Sequence, residues 1–226
     1  MGKIAVFGAG GRAGRRTVAE AASRGHQVTA VVRNPAQHTG LAALATTGAS
    51  GGGTVAVVAG DVTDAASVAA AAAGHDAVVN AAARLDVPSV EFFPAAARAL
   101  IAGLREAGVA RLVLVGIGTT LEVAPGVAVH DAPDFPPANR AFSLGHTAEL
   151  DVLRAADADL DWLVLAPPPV MLDDTAPGTR TYRIGDHRLL PEPDGTPPFA
   201  YADLAAALVD EAEKPEHHRM LAAVAY

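Results

Sequence analysis

The chain lacks cysteine, long apolar runs and clusters of basic residues. Without cysteine it forms no disulfide and no thiolate metal site, and it has no cysteine nucleophile. No apolar stretch reaches the ~18 residues that a transmembrane helix needs, so we expect no membrane span. Nucleic acid is an unexpected partner, because the net charge is −8 and no Lys/Arg run offers phosphate contacts. The first predicted strand starts at Lys3, which leaves no room for a signal peptide, and we expect a cytoplasmic location.

What the sequence does contain is a regular alternation of short apolar strands and helical segments. Its length and its 50% apolar content suit one globular domain over residues 1–226. The strands are rich in Val, Ile and Leu without clean alternation, which is typical of parallel strands buried on both faces. We predict strands at 3–7, 26–32, 54–59, 76–80, 110–115, 161–165 and 220–225, and helices at 11–24, 35–46, 63–73, 90–107, 137–156 and 201–213, with a flexible turn at 49–53. This order predicts an α/β fold of the doubly wound Rossmann class with a mainly parallel sheet.

Two proline-rich segments interrupt this alternation, at about 117–137 and 168–200. Both follow late strands, whose carboxyl ends border the ligand site in a doubly wound sheet. Long irregular segments in a compact domain are usually functional. We therefore interpret them as a small C-terminal cap over the substrate, with ordinary surface loops as the alternative.

A glycine-rich turn follows the first strand, in the sequence Gly8-Ala9-Gly10-Gly11-Arg12-Ala13-Gly14. The glycines at 8, 11 and 14 permit a tight turn, a close backbone approach to a pyrophosphate, and close packing of helix on strand. The helix that begins here then directs free N–H groups and a positive dipole end at the phosphates. Because the turn lies between a strand and a helix, the motif predicts a dinucleotide site that includes Arg12 and Ala13.

Arg33, at the end of the second strand, favours NADP(H) over NAD(H). An acidic residue at this point holds the ribose 2′-hydroxyl of NAD, whereas an arginine suits the 2′-phosphate of NADP. Arg12 offers a second guanidinium. The alternative for both arginines is an ordinary solvated side chain.

Three further cofactor contacts are predicted where later strands end. Asp61 can accept a hydrogen bond from the adenine amino group, and the Val62 backbone can meet the ring; Asp61 or Thr63 can also start the next helix. The run Asn80-Ala81-Ala82 has small side chains that let a cofactor pass close to the backbone, although tight packing alone would also explain it.

The chain resembles the atypical short-chain dehydrogenase/reductases of the NmrA-like, NAD(P)H-binding group. The resemblance is carried by GAGGRAGR at 8–15, VVRNP at 31–35, GDVTD at 60–64, DAVVNAA at 76–82, LVLVG at 112–116 and LDWLVLAPP at 160–168. It implies a Rossmann fold, NADP(H), and a substrate cleft over the carboxyl ends of the strands. Flavin and biliverdin reductase-like members of this group transfer hydride without a catalytic tyrosine.

The catalytic residues depart from the pattern of that family. Its Tyr-x-x-x-Lys pair corresponds here to Phe142 and His146, and phenylalanine cannot donate a proton. Phe142 and His146 share one helix face, so His146 is a candidate acid or ribose contact, with a purely structural histidine as the alternative. Thr119 is a candidate partner for a substrate carbonyl. No metal site is expected, since His217 and His218 have no third ligand nearby.

The sequence therefore predicts an NADPH-dependent reductase that acts on a small planar metabolite such as a flavin, a quinone or an enone. Two alternatives stay open: a non-redox isomerase or cyclase that binds NADP, and a regulatory protein that senses NADP(H). The expected partner is a small-molecule substrate, and the expected assembly is a monomer or a homodimer.

Overall fold

Strands and helices alternate as the apolar pattern predicts in the computed structural model, which describes residues 2–45 and 52–226. The strands are β1 (Lys3–Phe7), β2 (Gln27–Val32), β3 (Thr54–Ala59), β4 (Ala77–Asn80), β5 (Arg111–Val115), β6 (Glu122–Ala124), β7 (Val127–Ala128), β8 (Asp161–Ala166), β9 (Arg183–Ile184) and β10 (Met220–Ala225). The α-helices are α1 (Arg12–Ser23), α2 (Ala65–Ala72), α3 (Ser89–Ala107), α4 (Pro137–Arg154) and α5 (Tyr201–Glu213).

The main sheet has the strand order β3-β2-β1-β4-β5-β8-β10-β9. Its neighbours are parallel except for β9, which pairs antiparallel with the end of β10. In the centre, Phe7 of β1 lies opposite Val31 of β2 on one side and Asn80 of β4 on the other. The chain therefore reverses its direction of winding between β1 and β4, which confirms the doubly wound Rossmann fold.

Helices cover both faces of the sheet, with α1 and α5 on one face and α2, α3 and α4 on the other. Successive residues of β1 point to opposite faces, and Val6 and Phe7 are buried in two different core clusters. This two-sided burial explains why the strands have continuous apolar runs instead of alternation. No helix among the described residues is long and apolar enough to cross a bilayer.

The predicted helix at 35–46 is wrong. The described part of this stretch forms two short 3₁₀ turns, Pro35–Gln37 and Ala42–Leu44. The Asn34 side chain accepts a hydrogen bond from the Ala36 N–H and starts the first turn, while Thr39 and Gly40 have poor helix propensity. The predicted turn at 49–53 falls largely outside the described residues.

The start of α2 also differs from prediction. Asp64, and neither Asp61 nor Thr63, is the N-cap, since its Oδ1 accepts a hydrogen bond from the Ala66 N–H at 3.0 Å. Asp61 instead accepts hydrogen bonds from the N–H and hydroxyl of Thr63. Its carboxylate therefore stays at the end of β3, where a ligand can reach it.

A buried carboxylate attaches the segment that follows β8 to the body of the protein. Asp203, at the start of α5, is fully buried and accepts hydrogen bonds from the N–H groups of Thr179 and Arg180 at 2.8 and 2.6 Å. It also accepts one from the Tyr226 hydroxyl at 2.6 Å. Burial and this bond raise the pKa of Tyr226 to about 12, so the phenol keeps its proton. The Asp203 contacts hold Arg180 in a left-handed conformation, φ 56°.

A second buried charge network lies at the amino end of the late strands. Arg111 at the start of β5 donates to Glu211 of α5 and to Asp161 of β8, each at 2.9 Å, and to the Glu211 and His217 carbonyls at 3.0 Å. His217 and His218 also bond to the carboxylates of this network. No cluster of metal-ligating side chains is present among the described residues. The network joins β5, β8 and α5 at the amino ends of the strands, opposite the carboxyl ends where a doubly wound sheet binds its ligands.

Replacing Arg111 by alanine is expected to destabilise the fold. The change removes the arginine from the buried Glu211 carboxylate, which keeps only His217 and two backbone N–H groups as partners. Breaking a buried ion pair in this way typically costs about 3–5 kcal/mol. Urea unfolding followed by circular dichroism measures the difference. Arg105→Ala is the matched control, because Arg105 pairs with Asp157 on the exposed surface, and its urea midpoint should stay close to that of the parent protein. Equal effects of the two substitutions would contradict the assignment.

Candidate cofactor and active site

A cleft of about 950 Å³ lies along the carboxyl ends of the parallel strands. The loops that follow β1, β2, β3 and β4 line one half, and those that follow β5 and β8, together with α4, line the other. This is where a doubly wound sheet binds its ligands, because the loops separate at the point where the winding reverses.

Two glycines of the turn after β1 are required by contacts within the protein. Gly8 has a φ of +71°, and a Cβ there would lie 2.5 Å from the Ala82 backbone after β4. A Cβ on Gly14 would lie 2.2 Å from the Gly8 carbonyl oxygen. Side chains at these positions would therefore push α1 and the β4 loop away from β1.

Gly11 differs, because a Cβ there would meet only the Gly8 carbonyl oxygen, at 3.4 Å. Gly11 is exposed, lines the cleft and is the N-cap of α1, with no side-chain cap. The first N–H groups of the helix thus face an open space bounded by glycine. Such a space fits the pyrophosphate of a dinucleotide, which accepts hydrogen bonds from helix N–H groups.

Ionisable side chains cluster in the half of the cleft that begins at this turn. Arg12, Arg33, Arg84 and His38 line it together with Asp61. Hydrogen bonds from Thr63 lower the pKa of Asp61, and the nearby positive charges of Arg33 and Arg84 lower it further. Asp61 is thus an ionised acceptor at neutral pH, beside arginines that suit an anionic ligand.

Most of the predicted cofactor residues line this half directly: Gly8, Gly11, Arg12, Ala13, Arg33, Asp61, Val62, Ala81 and Ala82. Gly14 and Asn80 do not line it. Gly14 lies behind the turn against Gly8, and the buried Asn80 accepts a hydrogen bond from the Ala82 N–H at 3.1 Å through its Oδ1. Gly14 and Asn80 therefore act indirectly, because they hold the backbone of Gly8 and Ala82 in place.

The structure brings both candidate catalytic residues to the other half of the cleft. His146 lines it, is 5% exposed and stacks on Phe93 with ring centroids 3.8 Å apart. Phe142 meets the imidazole edge-on at 5.2 Å. The predicted shared helix face of Phe142 and His146 is therefore present, and it faces the cleft. A carboxylate that the sequence analysis missed, that of Glu149, lies 3.1 Å from Nδ1 of His146.

Thr119 lines the same half and lies 2.8 Å from the Ser143 hydroxyl, Oγ1 to Oγ. Ser143 donates its own proton to the Asn139 carbonyl at 2.9 Å. When both bonds form, Thr119 is the donor to Ser143, and its oxygen can only accept from a ligand. A bond from Thr119 to a substrate carbonyl requires its hydroxyl to rotate away from Ser143.

His130, which comes from the first proline-rich segment, supports Thr119 from behind. It is buried, and its Nδ1 donates to the Thr119 carbonyl at 2.7 Å. Tyr182, from the second segment, donates its hydroxyl proton to Asp210. Neither side chain lines the cleft. Both belong to the segments interpreted above as the cap, but the fold uses these two side chains to attach loops.

Exposed apolar side chains surround the mouth of the cleft. Leu85 lies on the loop after β4 and is 89% exposed, while Val170 and Met171 follow β8 and are 55% and 76% exposed. Asp174, shortly after them, pairs with Arg16 of α1 at 2.8 Å. The segment after β8 thus crosses the cleft and is joined to the helix of the glycine turn.

A doubly wound sheet, a glycine turn at a free helix N-terminus, and arginines beside an ionised aspartate define a dinucleotide-binding Rossmann protein. The sequence profile of the NAD(P)H-binding family matches residues 8–215. The chain belongs to this family, which confirms the resemblance stated above, and its cofactor is a nicotinamide dinucleotide.

Individual relatives cover almost the whole chain. An uncharacterised protein of Bacillus subtilis, YwnB, is 33% identical over 218 residues, which are 95% of this chain and 94% of that protein. A solved structure from Burkholderia pseudomallei, described as a "putative exported protein", is 40% identical with a TM-score of 0.81 and full coverage of both chains. A "putative NADH-flavin reductase" from Streptococcus pneumoniae is 25% identical with a TM-score of 0.76 and 99% coverage of both.

The glycine turn allows a test that separates folding from cofactor binding. Gly14→Ala places a Cβ against a backbone oxygen, and such overpacking typically costs about 1–3 kcal/mol of stability. Gly11→Ala should leave the thermal midpoint nearly unchanged but weaken NADPH binding roughly 10-fold or more, because its methyl group projects into the pyrophosphate space. Thermal unfolding and titration of NADPH fluorescence measure the two effects. Unchanged affinity in Gly11→Ala would contradict the placement of the phosphates.

Proposed function

We propose that the protein is an NADPH-dependent reductase that transfers hydride to a small, planar, uncharged acceptor. The observation that carries the proposal is the division of one continuous cleft into two chemically different halves. The half at the glycine turn has three arginines and His38, whereas the half at β5, β8 and α4 is lined by aromatic rings, prolines and a few polar groups, with no arginine or lysine among the described residues. Similarity to a "putative NADH-flavin reductase" supports the same class of reaction.

The preference for NADPH rests on Arg33 with Arg12. Both line the cleft, and Arg33 follows β2, where the ribose of the adenosine binds in Rossmann proteins. A guanidinium forms charge-assisted hydrogen bonds to a phosphate but gains little from a hydroxyl. The carboxylate of Asp61 lies within the electrostatic influence of Arg33 and is available to the adenine amino group.

A planar, uncharged acceptor fits the half of the cleft at β5, β8 and α4, which we call the acceptor half; the half at the glycine turn is the cofactor half. Its walls include the rings of Phe93 and Phe142 and the run Pro167-Pro168-Pro169, and flat surfaces of this kind favour a flat apolar ligand. Its polar lining groups are Thr119, Asn139, Ser143 and His146. Within the described chain, no Lys, Arg, Asp or Glu lines this half. The segments 117–137 and 168–200 act as the cap that encloses the acceptor.

The reaction needs a hydride, a proton, and correct placement of the cofactor relative to the acceptor. NADPH, when bound, supplies the hydride. The protein supplies orientation and excludes water, which together account for a large part of the rate in such transfers. His146 is the acid that gives a proton to the reduced acceptor, and Thr119 contacts an acceptor oxygen after its hydroxyl has rotated.

A second candidate function is a non-redox isomerisation in the presence of bound NADP. It is favoured by the acid–base character of His146 beside Glu149 and by a solved structure from Bacteroides thetaiotaomicron, described as a "putative epimerase", that is 29% identical with a TM-score of 0.81. Turnover of a substrate without any change in nicotinamide absorbance would favour this function over the reductase.

Arg33→Ala is expected to weaken NADPH binding roughly 10-fold and to leave NADH binding unchanged, because only NADPH has the 2′-phosphate. Fluorescence titration with both cofactors measures the difference. Arg15→Ala is the control, since it removes the same charge from an exposed arginine of α1 that does not line the cleft. Equal losses for NADH and NADPH would contradict the preference for NADPH.

Neutral acceptors are expected to be better substrates than anionic ones. Riboflavin and flavin mononucleotide share one ring and differ by a phosphate, for which the acceptor half provides no cation, and the net charge of −8 adds repulsion. We expect kcat/KM to be roughly 10-fold higher for riboflavin, as measured by NADPH oxidation. A preference for the phosphorylated flavin would contradict an uncharged acceptor, and background oxidation with flavins, quinones and enones alike would contradict the reductase.

A further inference from the structure

The carboxylate of Glu149 has no assigned task in the proposed reaction. It lies on α4 one turn beyond His146 and is 1% exposed. Its Oε2 is 3.1 Å from Nδ1 of His146, itself 5% exposed. A carboxylate this deep requires a partner, because burial strongly disfavours an isolated charge.

Among the described residues, no cationic side chain other than His146 forms a hydrogen bond or ion pair with Glu149. His130, on the turn packed against α4, bonds instead to the Thr119 carbonyl and lies 3.7 Å from Asp131. The charged side chains of α3, which packs against α4, are exposed, and so are Asp151 and Arg154 of α4, which pair with each other. Arg140 of α4 donates to the Ala132 carbonyl. The exposed α3 residues are Glu91, Arg98, Arg105 and Glu106. The imidazole of His146 is therefore the side chain on which the buried Glu149 carboxylate depends.

The contacts of His146 also decide which of its ring nitrogens is available to an acceptor. Nδ1 is engaged by Glu149, and within the described chain no residue bonds to Nε2. Phe93 on one ring face and Phe142 at its edge restrict the imidazole, and His146 lines the acceptor half of the cleft. Nε2 is thus the polar ring atom that an acceptor can meet.

We propose that Glu149 is a positioning residue that holds His146 through Nδ1, so that Nε2 faces the acceptor and gives it a proton. This inference rests on the proposed reductase function. The acceptor receives the hydride at one atom and the His146 proton at another, so an N–H bond of the imidazolium breaks and the nicotinamide is oxidised. The pair, now with one net negative charge, regains its proton from solvent. In this arrangement Glu149 and His146 take over the task of the absent tyrosine and lysine.

The test compares Glu149→Gln with Asp151→Asn, which removes the same charge from an exposed residue of the same helix. Glu149→Gln should lower kcat on the order of 100-fold, the usual contribution of a positioned acid, and should change the pH profile of kcat. The KM for NADPH should stay the same, because Glu149 does not line the cofactor half. Asp151→Asn should match the parent protein in all three quantities, and Glu149→Asp should recover part of the rate.

A second readout does not depend on turnover. Nitrogen-15 NMR of the histidine side chains in the protein without cofactor reports which ring nitrogens of His146 are protonated. The parent protein should show Nδ1 bonded to a carboxylate, and this signature should disappear in Glu149→Gln. If the pH profile and the His146 shifts of Glu149→Gln equal those of the parent, the proposal is overturned. If the parent reduces no acceptor but shows the Nδ1 signature, the reductase function fails, and the positioning of His146 by Glu149 is upheld.

Discussion

The close approach of two backbone segments at the centre of the sheet is the constraint on which the site depends. The turn after β1 touches the backbone after β4, so that no Cβ fits on Gly8 beside Ala82. Behind it, α1 presses on the same turn through Gly14. This double contact fixes the start of α1 at the point where the winding of the sheet reverses. The free N–H groups of the helix, and the cleft in front of them, follow from it.

The buried ion network and the candidate site lie at opposite ends of the parallel strands. The network of Arg111, Glu211 and Asp161 joins β5, β8 and α5 at the amino ends of the late strands. The cleft lies at the carboxyl ends of the strands. Basic side chains line it where the early strands end, and aromatic side chains line it where the late strands end. The Asp203 contacts tie the segment after β8 to α5, and Asp174 ties it to α1. The segment that we propose as the cap is therefore attached on both sides of the cleft mouth.

The strands and the longer helices were predictable because their signals are local. Burial on both faces leaves continuous Val, Ile and Leu runs, and helices such as 90–107 end at a glycine that suits the left-handed C-terminal position, here Gly108 with φ 70°. The segment 35–46 was mispredicted because its alanines favour helix whereas the Asn34 side chain starts a competing turn. The two-residue strand β9 has no periodicity of its own, and it exists only because β10 offers an edge.

By itself, the sequence determined the fold class, the glycine turn and the pairing of Phe142 with His146, since each depends on spacing along one strand or helix. Only the tertiary structure decided what surrounds these residues. Phe93 reaches His146 from α3, Asn80 turns inward to hold the Ala82 backbone, and the acceptor half is built from segments far apart in the chain. Glu149 lies close in sequence to His146, but its importance depends on burial. Burial is a property of packing between helices, and the spacing of residues along one helix does not specify it.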